Sequence, residues 1–207
     1  MKRILMYIRF IPICIFGFIY SKNDRLIMDV KRWTNQENIS LNRDLAVLLF
    51  NFKEFRNLFI YRNRYPKAHR VFCHWIKFWY PPEKTLYLEC PDIGGGFYIQ
   101  HGFATYVAAQ KIGENCSVNQ QVTIGYNGLS KSPIIGDRCM IMCGAKVLGE
   151  VELGECTRVG ANAVVIRDYK RGHGTLVGVP AVAKKEISKE DLLNAGVKID
   201  ESLFDWF

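Results

Sequence analysis

Aliphatic residues recur at six-residue intervals through the second half of the chain, and this period constrains the fold more than any other feature. A glycine often follows the aliphatic residue, and a small residue often lies four positions after it. An α-helix of 3.6 residues per turn cannot keep a six-residue period on one face. A parallel β-helix can, because each hexapeptide forms one flat face, three faces form a coil, and stacked coils align like residues. The aliphatic positions are Ile93, Ile99, Ile112, Val118, Ile124, Ile135, Ile141, Val147, Leu153, Val159 and Val165.

The repeat predicts roughly four coils, from Ile93 to about Lys170. It is interrupted between Ile124 and Ile135, which are eleven residues apart where six are expected. The surplus residues, within 126–133, must leave the coil as a loop. Such a loop is either a binding wall carried on a rigid scaffold or a simple turn insertion. A second irregularity, of one extra residue, lies between His101 and Ile112.

The N-terminal part has helical spacing instead, with apolar residues three and four positions apart. It predicts helices over about 25–33, 42–64 and 68–78, and Pro81-Pro82 ends the helical pattern. We therefore expect a helical N-terminal domain at 1–85, a β-helix domain at 86–185 and a C-terminal tail at 186–207. The tail opens on Ser188-Lys-Glu-Asp191, which resembles a capping box and predicts a short helix. The predicted fold class is α+β.

The charge of the chain is concentrated in its N-terminal part. Residues 1–85 hold 16 Lys and Arg against 6 Asp and Glu, whereas the remainder holds 12 against 14. A basic, aromatic region is either a solvated helical face or a surface for a membrane or a phosphorylated ligand. We expect no nucleic-acid partner and leave contact with a membrane surface open. The apolar run 10–20 is shorter than the ~20 residues that span a bilayer, so no transmembrane segment is expected.

The seven cysteines are an odd number spread through the chain, which favours free thiols and a cytoplasmic location. Cys116 and Cys139 occupy the small-residue position of the repeat, which indicates a packing role. Cys139 and Cys143 have no second pair at ligand spacing, so no metal site is predicted.

His101 is the candidate general base among the four histidines. It lies within the repeat, and Glu89 and Asp92 stand a short way upstream as candidate orienting carboxylates. His69 and His74 lie in the aromatic helical part and are predicted to be packing or surface residues, and His173 lies in a glycine-rich turn.

Four segments carry a family resemblance: IGGGFYIQHG at 93–102, IGENCSVNQQVTIG at 112–125, GAKVLG at 144–149 and VGVPA at 177–181. In order and spacing they resemble the serine O-acetyltransferases, which are hexapeptide-repeat acyltransferases. EFRNLFIYR at 54–62 resembles the helical domain of the same enzymes. The resemblance implies a left-handed β-helix, acetyl-CoA as the co-substrate, and assembly as a homotrimer or a dimer of trimers.

The resemblance also implies roles for individual residues. His101 would take the proton from an acceptor hydroxyl as that oxygen attacks the thioester carbonyl. The cofactor would lie in a groove between subunits, where small residues admit it closely and a lysine meets phosphate. The candidate cofactor-binding residues are Gly125, Cys143, Gly144, Ala161, Gly178, Pro180, Lys184 and Lys185.

The chain departs from the family where the acceptor would bind. The family's aspartate fifteen residues before the base is here Leu86, and the residue before the base is Gln100. The loop that often reads Asp-Arg-His-Pro here reads Ser-Lys-Ser-Pro at 130–133. We predict that Gln100, Lys131 and Ser132 bind the acceptor, with Lys131 as a point charge where the family has arginine.

Three functions remain open from the sequence. The first is an acetyl-CoA-dependent O-acetyltransferase acting on L-serine, the prediction that the resemblance favours. The second is the same chemistry on a sugar hydroxyl in surface-polysaccharide assembly. The third is a non-catalytic trimeric β-helix that binds partners, which a His101 buried away from the groove would indicate.

Overall fold

A computed structural model describes residues 23–64, 67–128 and 131–184 of the 207-residue chain. Four described helices precede the β-region. The predicted helices at 25–33 and 68–78 are confirmed, whereas the single helix expected at 42–64 is two helices separated at Phe52. The helices are α1 (Asp24–Thr34), α2 (Leu41–Asn51), α3 (Lys53–Arg62) and α4 (Lys67–Trp79).

Local chemistry explains the helix ends. The Asn23 side chain caps α1 by accepting a hydrogen bond from the Leu26 amide at 3.1 Å. Asn35 ends the same helix in the left-handed conformation, with φ of 53°. Phe52 adopts an extended conformation that breaks the helical run. The last carbonyls of α2, at Leu49 and Phe50, accept hydrogen bonds from Arg56 in the next helix.

The β-region is a parallel β-helix, as the six-residue repeat predicts. Its strands form three sheets, and successive strands of a sheet come from successive coils. The described strands make five coils where the sequence indicated about four, because strands before Ile93 and beyond Lys170 extend the stack. The strands are β1 (Leu86–Leu88), β2 (Asp92–Ile93), β3 (Tyr98–Ile99), β4 (Thr105–Val107), β5 (Lys111–Ile112), β6 (Ser117–Val118), β7 (Thr123–Gly125), β8 (Ile134–Ile135), β9 (Met140–Ile141), β10 (Lys146–Leu148), β11 (Glu152–Leu153), β12 (Thr157–Val159), β13 (Val164–Val165), β14 (Gly174–Val177) and β15 (Val182–Ala183).

We call the three faces sheet A (β1-β4-β7-β10-β13), sheet B (β2-β5-β8-β11) and sheet C (β3-β6-β9-β12-β14, with β15 at its end). All the described strand pairs are parallel except β14 with β15. The aliphatic positions of the repeat align across coils, as Val107, Ile124, Val147 and Val165 do in sheet A. These side chains are buried and form the core of the β-helix. The predicted packing cysteines, Cys116 and Cys139, are buried in the same core.

A buried ion pair joins the helices to the first coil. Arg62 Nε lies 2.7 Å from Asp29 Oδ2, and both side chains are almost completely buried. Arg62 also donates to the carbonyls of Ile93 and Gly94, and Asp29 accepts from the Phe97 amide at 2.9 Å. The Trp33 indole donates to the Phe97 carbonyl at 2.9 Å. These contacts place α1 and α3 against the coil that carries His101.

Three sequence expectations fall outside the described residues: the short helix of the 186–207 tail, the position of Lys185, and the absence of a membrane span in the apolar run 10–20. Among the helices of the described ranges, none is long and apolar enough to cross a membrane.

Candidate active site

His101 lies in a corner that bulges from the coil. From Ile99 in sheet C to Val107 in sheet A the chain takes eight residues, whereas the equivalent step from Val118 to Ile124 takes six. The surplus residues therefore surround His101, which adopts a left-handed conformation with φ of 53°. The His101 side chain is exposed. Imidazole held outward on a rigid coil is positioned to contact a ligand.

We call the edge where sheet C passes into sheet A the His101 edge. Among the described residues, the His101 imidazole has no hydrogen-bond partner within the chain. The adjacent Gln100 is also exposed, and its side-chain oxygen accepts a hydrogen bond from Asn119 Nδ2 at 3.4 Å. The predicted acceptor-binding Gln100 therefore lies beside His101, one coil before Asn119.

The structure does not bring Glu89 or Asp92 to His101 within one chain. Glu89 lies where sheet A passes into sheet B, and its carboxylate accepts a hydrogen bond from the Tyr106 hydroxyl. This bond raises the pKa of Tyr106. Asp92 lies in sheet B, where it forms an exposed ion pair with Arg25 at 2.7 Å. Residues close in sequence to His101 are thus on other faces, because the chain turns a corner every few residues.

A glutamate side chain from the helical region packs against the His101 corner. A Cβ atom placed on Gly102 would lie 3.2 Å from Glu54 Cγ in α3. A Cβ lies about 1.5 Å from its Cα, so Glu54 Cγ is within about 4.7 Å of the Gly102 Cα. The Cα atoms of Gly102 and His101 are ~3.8 Å apart, as in any two consecutive residues. Glu54 is partly buried, and α3 is fixed here because Asn57 Nδ2 donates to the Leu86 carbonyl at 3.1 Å.

Glu54 is the site residue that sequence reasoning did not single out. It lies 47 positions before His101, within the segment 54–62 that carried the weaker family resemblance. That resemblance was the available signal. Leu86, which stands where the family has an aspartate, is buried beneath Gly102 and serves packing.

Lys131 and Ser132 lie on a different edge. We call the edge where sheet A passes into sheet B the loop edge, because the 126–133 insertion leaves the coil there. Lys131 forms an exposed ion pair with Glu150 at 3.3 Å, beside a surface cavity of about 450 Å³. Ser132 is buried, and its carbonyl accepts a hydrogen bond from Gln110 Nε2 at 2.7 Å. Sheet A separates these residues from His101 within one chain.

The predicted cofactor residues fall mainly along the His101 edge, in later coils. Backbone hydrogen bonds connect the coils there, from the Gly144 amide to the Gln120 carbonyl and from the Asn162 amide to the Cys143 carbonyl. Because coils rise by ~4.8 Å each, the edge forms a strip about 19 Å long from the first coil to the fifth. The residues of this strip are Cys143, Gly144, Ala161, Gly178 and Pro180, and Lys184 follows β15.

Gly144 and Gly125, two of the predicted cofactor-binding residues, differ in whether the fold needs a glycine at that position. Gly144 has φ of 71°, and a Cβ there would lie 2.0 Å from Asn162 Oδ1, so the corner itself demands glycine. Gly125 lies at the end of a sheet A strand, and a Cβ there would meet nothing within 4 Å. The coil does not need glycine at Gly125, because the space beside this buried residue is open.

The chain is similar in sequence to a known family and to known enzymes. Residues 132–167 match the family model for the bacterial transferase hexapeptide (six repeats). The chain is 38% identical over 102 residues to the serine acetyltransferase of Helicobacter pylori, covering 47% of this chain and 57% of the relative. It spans about half the length of the curated relatives that it matches.

Solved structures agree over a longer stretch. The serine acetyltransferase of Neisseria gonorrhoeae in complex with serine aligns with a TM-score of 0.54 at 23% identity, covering 77% of this chain and 67% of that one. The Brucella abortus serine acetyltransferase in complex with coenzyme A aligns with a TM-score of 0.53 at 21% identity, covering 81% and 71%. The chain has the serine acetyltransferase fold. The predicted resemblance and fold class are confirmed.

Among the described residues, no group of three or more His, Cys, Asp or Glu side chains is placed to hold a metal ion. The candidate site consists of the exposed His101, the Glu54 side chain packed against Gly102 and the strip of small residues along the His101 edge.

Proposed function

We propose that this chain is an acetyl-CoA-dependent O-acetyltransferase with His101 as its general base and L-serine as its acceptor. The observation that carries the proposal is the bulged corner that holds His101 outward beside Gln100 and Glu54. The serine acetyltransferase relatives, and the solved structures with serine and with coenzyme A, support it.

The reaction needs one base and no acyl-enzyme. His101 takes the proton of the acceptor hydroxyl while that oxygen bonds to the carbonyl carbon of acetyl-CoA. The carbon–sulfur bond then breaks, and the protonated imidazole returns its proton to the departing CoA thiolate. A backbone amide at the edge would stabilise the oxyanion between these two events.

Glu54 supplies the negative charge that an amino-acid acceptor requires. An ammonium group held by this carboxylate would present its neighbouring hydroxyl to His101, because Glu54 and His101 flank Gly102. Asp92 and Glu89 would act on His101 only from a neighbouring copy, since other partners hold them on other faces of their own chain.

A second copy completes this site. Lys131 would bind the acceptor carboxylate, but it lies on the loop edge, across sheet A from His101. A homotrimer in which the loop edge of one copy meets the His101 edge of the next brings the two together, and two trimers joined end to end would preserve the arrangement. The open space beside Gly125 and the strip along the His101 edge would then line the acetyl-CoA groove between copies, with Lys184 and Lys185 meeting its phosphates.

One observation favours a sugar as the alternative acceptor. The exposed rings of Tyr87 and Tyr106 lie 5.9 Å apart on the outer face of sheet A, and Tyr106 is bonded to the Glu89 carboxylate. An aromatic surface beside a carboxylate provides apolar area and hydrogen-bond acceptors for a sugar ring. Acetylation of a glycan hydroxyl would use the same base.

Release of free CoA from acetyl-CoA tests the proposal. The assay compares wild type, His101→Ala and His173→Ala with L-serine and then with a panel of sugars. His173 is a matched control, because it is also exposed and left-handed but lies on the edge between sheets B and C.

We expect serine-dependent release in wild type and His173→Ala and its loss in His101→Ala. Release with a sugar but not with L-serine would identify the sugar as the acceptor in place of serine. No release with any acceptor would overturn the proposal and leave a non-catalytic β-helix.

A further inference from the structure

A continuous series of aromatic rings crosses the helical region. Its ring contacts run from Phe50 to Tyr80 at 5.9 Å, Tyr80 to Trp75 at 6.3 Å, Trp75 to Trp79 at 6.4 Å and Trp79 to Phe78 at 5.3 Å. We call these five residues the ring surface. Its two ends are open to solvent, since Phe50 is 56% exposed and Phe78 is 79% exposed.

The ring surface is held in place by a buried arginine. Arg56 donates to the Leu49 carbonyl at 2.6 Å, to the Phe50 carbonyl at 2.7 Å and to the Pro81 carbonyl at 2.8 Å. The end of α2 is therefore fixed to the segment that follows α4. An exposed phenylalanine on a fixed backbone cannot withdraw from water by a local rearrangement. The fold thus maintains apolar area at its surface at a cost in hydration free energy.

Exposed cations accompany these rings along the chain. Residues 41–84 hold nine Lys and Arg against three acidic residues, and four of the nine have described, exposed side chains: Arg43, Lys53, Lys77 and Lys84. Lys77 directly precedes Phe78, and Lys53 is at the start of α3. The three acidic residues have other contacts, since Glu54 lies against Gly102, Asp44 accepts from the Ser40 amide at 2.8 Å and Glu83 accepts from the Thr85 hydroxyl at 2.9 Å.

We propose that the ring surface docks on an anionic lipid bilayer. Exposed aromatic side chains beside lysines match the boundary between headgroups and acyl chains, where the rings enter the apolar layer and the ammonium groups meet lipid phosphates. A second copy of the same surface fits less well, because two faces with a cationic excess repel each other. The docking involves no covalent step and does not depend on the acetyltransferase proposal.

Flotation with vesicles tests this docking on the full chain. Phosphatidylcholine vesicles are compared with vesicles that also contain phosphatidylglycerol, for wild type, Phe50→Ser/Phe78→Ser and Lys53→Gln/Lys77→Gln. The control variant is Ile166→Ser, which removes an exposed apolar side chain directly after β13, in the coil farthest along the stack from the helices. Circular dichroism and sedimentation velocity confirm that each variant keeps its fold and assembly.

We expect wild type and Ile166→Ser to float with the anionic vesicles and to be released by salt. Each lysine lost should weaken binding about fivefold, and loss of both phenylalanines should abolish flotation. Equal binding to neutral and anionic vesicles, or full binding by the phenylalanine variant, would overturn the proposal. Self-association that needs Phe50 and Phe78, without vesicle binding, would also overturn it and assign the surface to a second copy.

Discussion

The Glu54 side chain lies against Gly102, the residue that follows His101, with its Cγ 3.2 Å from the position of a Cβ on that glycine. Helix α3 thereby packs a glutamate side chain against a corner of the β-helix. The relationship places the helical region against the candidate site.

Replacing Glu54 tests this contribution directly. Glu54→Gln keeps the shape of the side chain and removes its charge, so an ammonium-bearing acceptor loses a charged partner. We expect the KM for L-serine to rise about tenfold or more, with little change in the KM for acetyl-CoA. Steady-state kinetics with each substrate varied in turn provide the measurement.

Glu37→Gln is the matched control, because Glu37 is an exposed glutamate that pairs only with Lys31, at 3.4 Å, among the recorded ion pairs. Equal KM values for serine in wild type and Glu54→Gln would remove Glu54 from the acceptor site.

Gly102 itself should not tolerate a side chain. A Cβ there would lie 2.7 Å from Ile99 Cγ2 and 3.0 Å from Leu86 Cδ2, both buried. We expect Gly102→Ala to lower the free energy of unfolding by about 1–3 kcal/mol through overpacking and to displace His101. Thermal unfolding measures the first effect and CoA release the second.

Gly125→Ala provides the contrast, because a Cβ on Gly125 meets nothing within 4 Å in a single chain. Its thermal midpoint should match wild type. A similar loss of stability in both variants would contradict the packing described for Gly102.

The β-helix could be predicted from the sequence, but the partner of His101 could not. In the later coils each internal ladder repeats an aliphatic residue every eighteen positions, so Ile141 with Val159 and Val147 with Val165 reveal their alignment in the sequence itself. Glu54 has no such period. It reaches Gly102 only because Asn57 and Arg62 bind the first coil through side-chain hydrogen bonds that no local pattern records.

Nearness in sequence was also a poor guide to nearness in space. Asp92 and Glu89 stand nine and twelve residues before His101, yet the chain turns two corners in that interval. The break in the predicted helix over 42–64 also depends on a contact that local spacing does not reveal. Its apolar spacing is helical throughout, but Phe52 leaves the helix so that Arg56 can bind the freed carbonyls of Leu49 and Phe50.

The Asp29–Arg62 pair should control the attachment of the helices to the first coil. Asp29→Ala leaves the buried Arg62 guanidinium without its carboxylate, and we expect a loss of about 3–5 kcal/mol in the free energy of unfolding. Asp92→Ala removes an exposed pair and should cost at most about 1 kcal/mol. Urea unfolding of both variants provides the comparison, and equal losses would show that burial does not distinguish the two pairs.

Alkaline pH should destabilise the chain through Cys90. Burial raises the pKa of the Cys90 thiol to about 11, whereas an unfolded thiol ionises near pH 8.5. Because the unfolded state releases this proton first, the contribution of Cys90 to stability is present below about pH 8.5 and is lost as the pH rises toward 11.

Thermal midpoints between pH 8 and pH 11 measure the effect. The midpoint of wild type should fall more steeply with pH than that of Cys90→Ala. Parallel slopes in the two proteins would mean that another group titrates.

Mixing two inactive variants tests whether neighbouring copies share a site. If His101 comes from one copy and Lys131 from the next, His101→Ala and Lys131→Gln each inactivate every site in a uniform assembly. Random assembly of an equal mixture then gives a site with both wild-type residues about a quarter of the time. We expect CoA release to recover to about that fraction after the mixture is unfolded and refolded together.

The control mixture combines His101→Ala with the double variant His101→Ala/Lys131→Gln, in which no site has a base. Lack of recovery by two well-folded partners would confine the site to one chain, and Lys131 would then have no part in binding the acceptor, since sheet A separates it from His101.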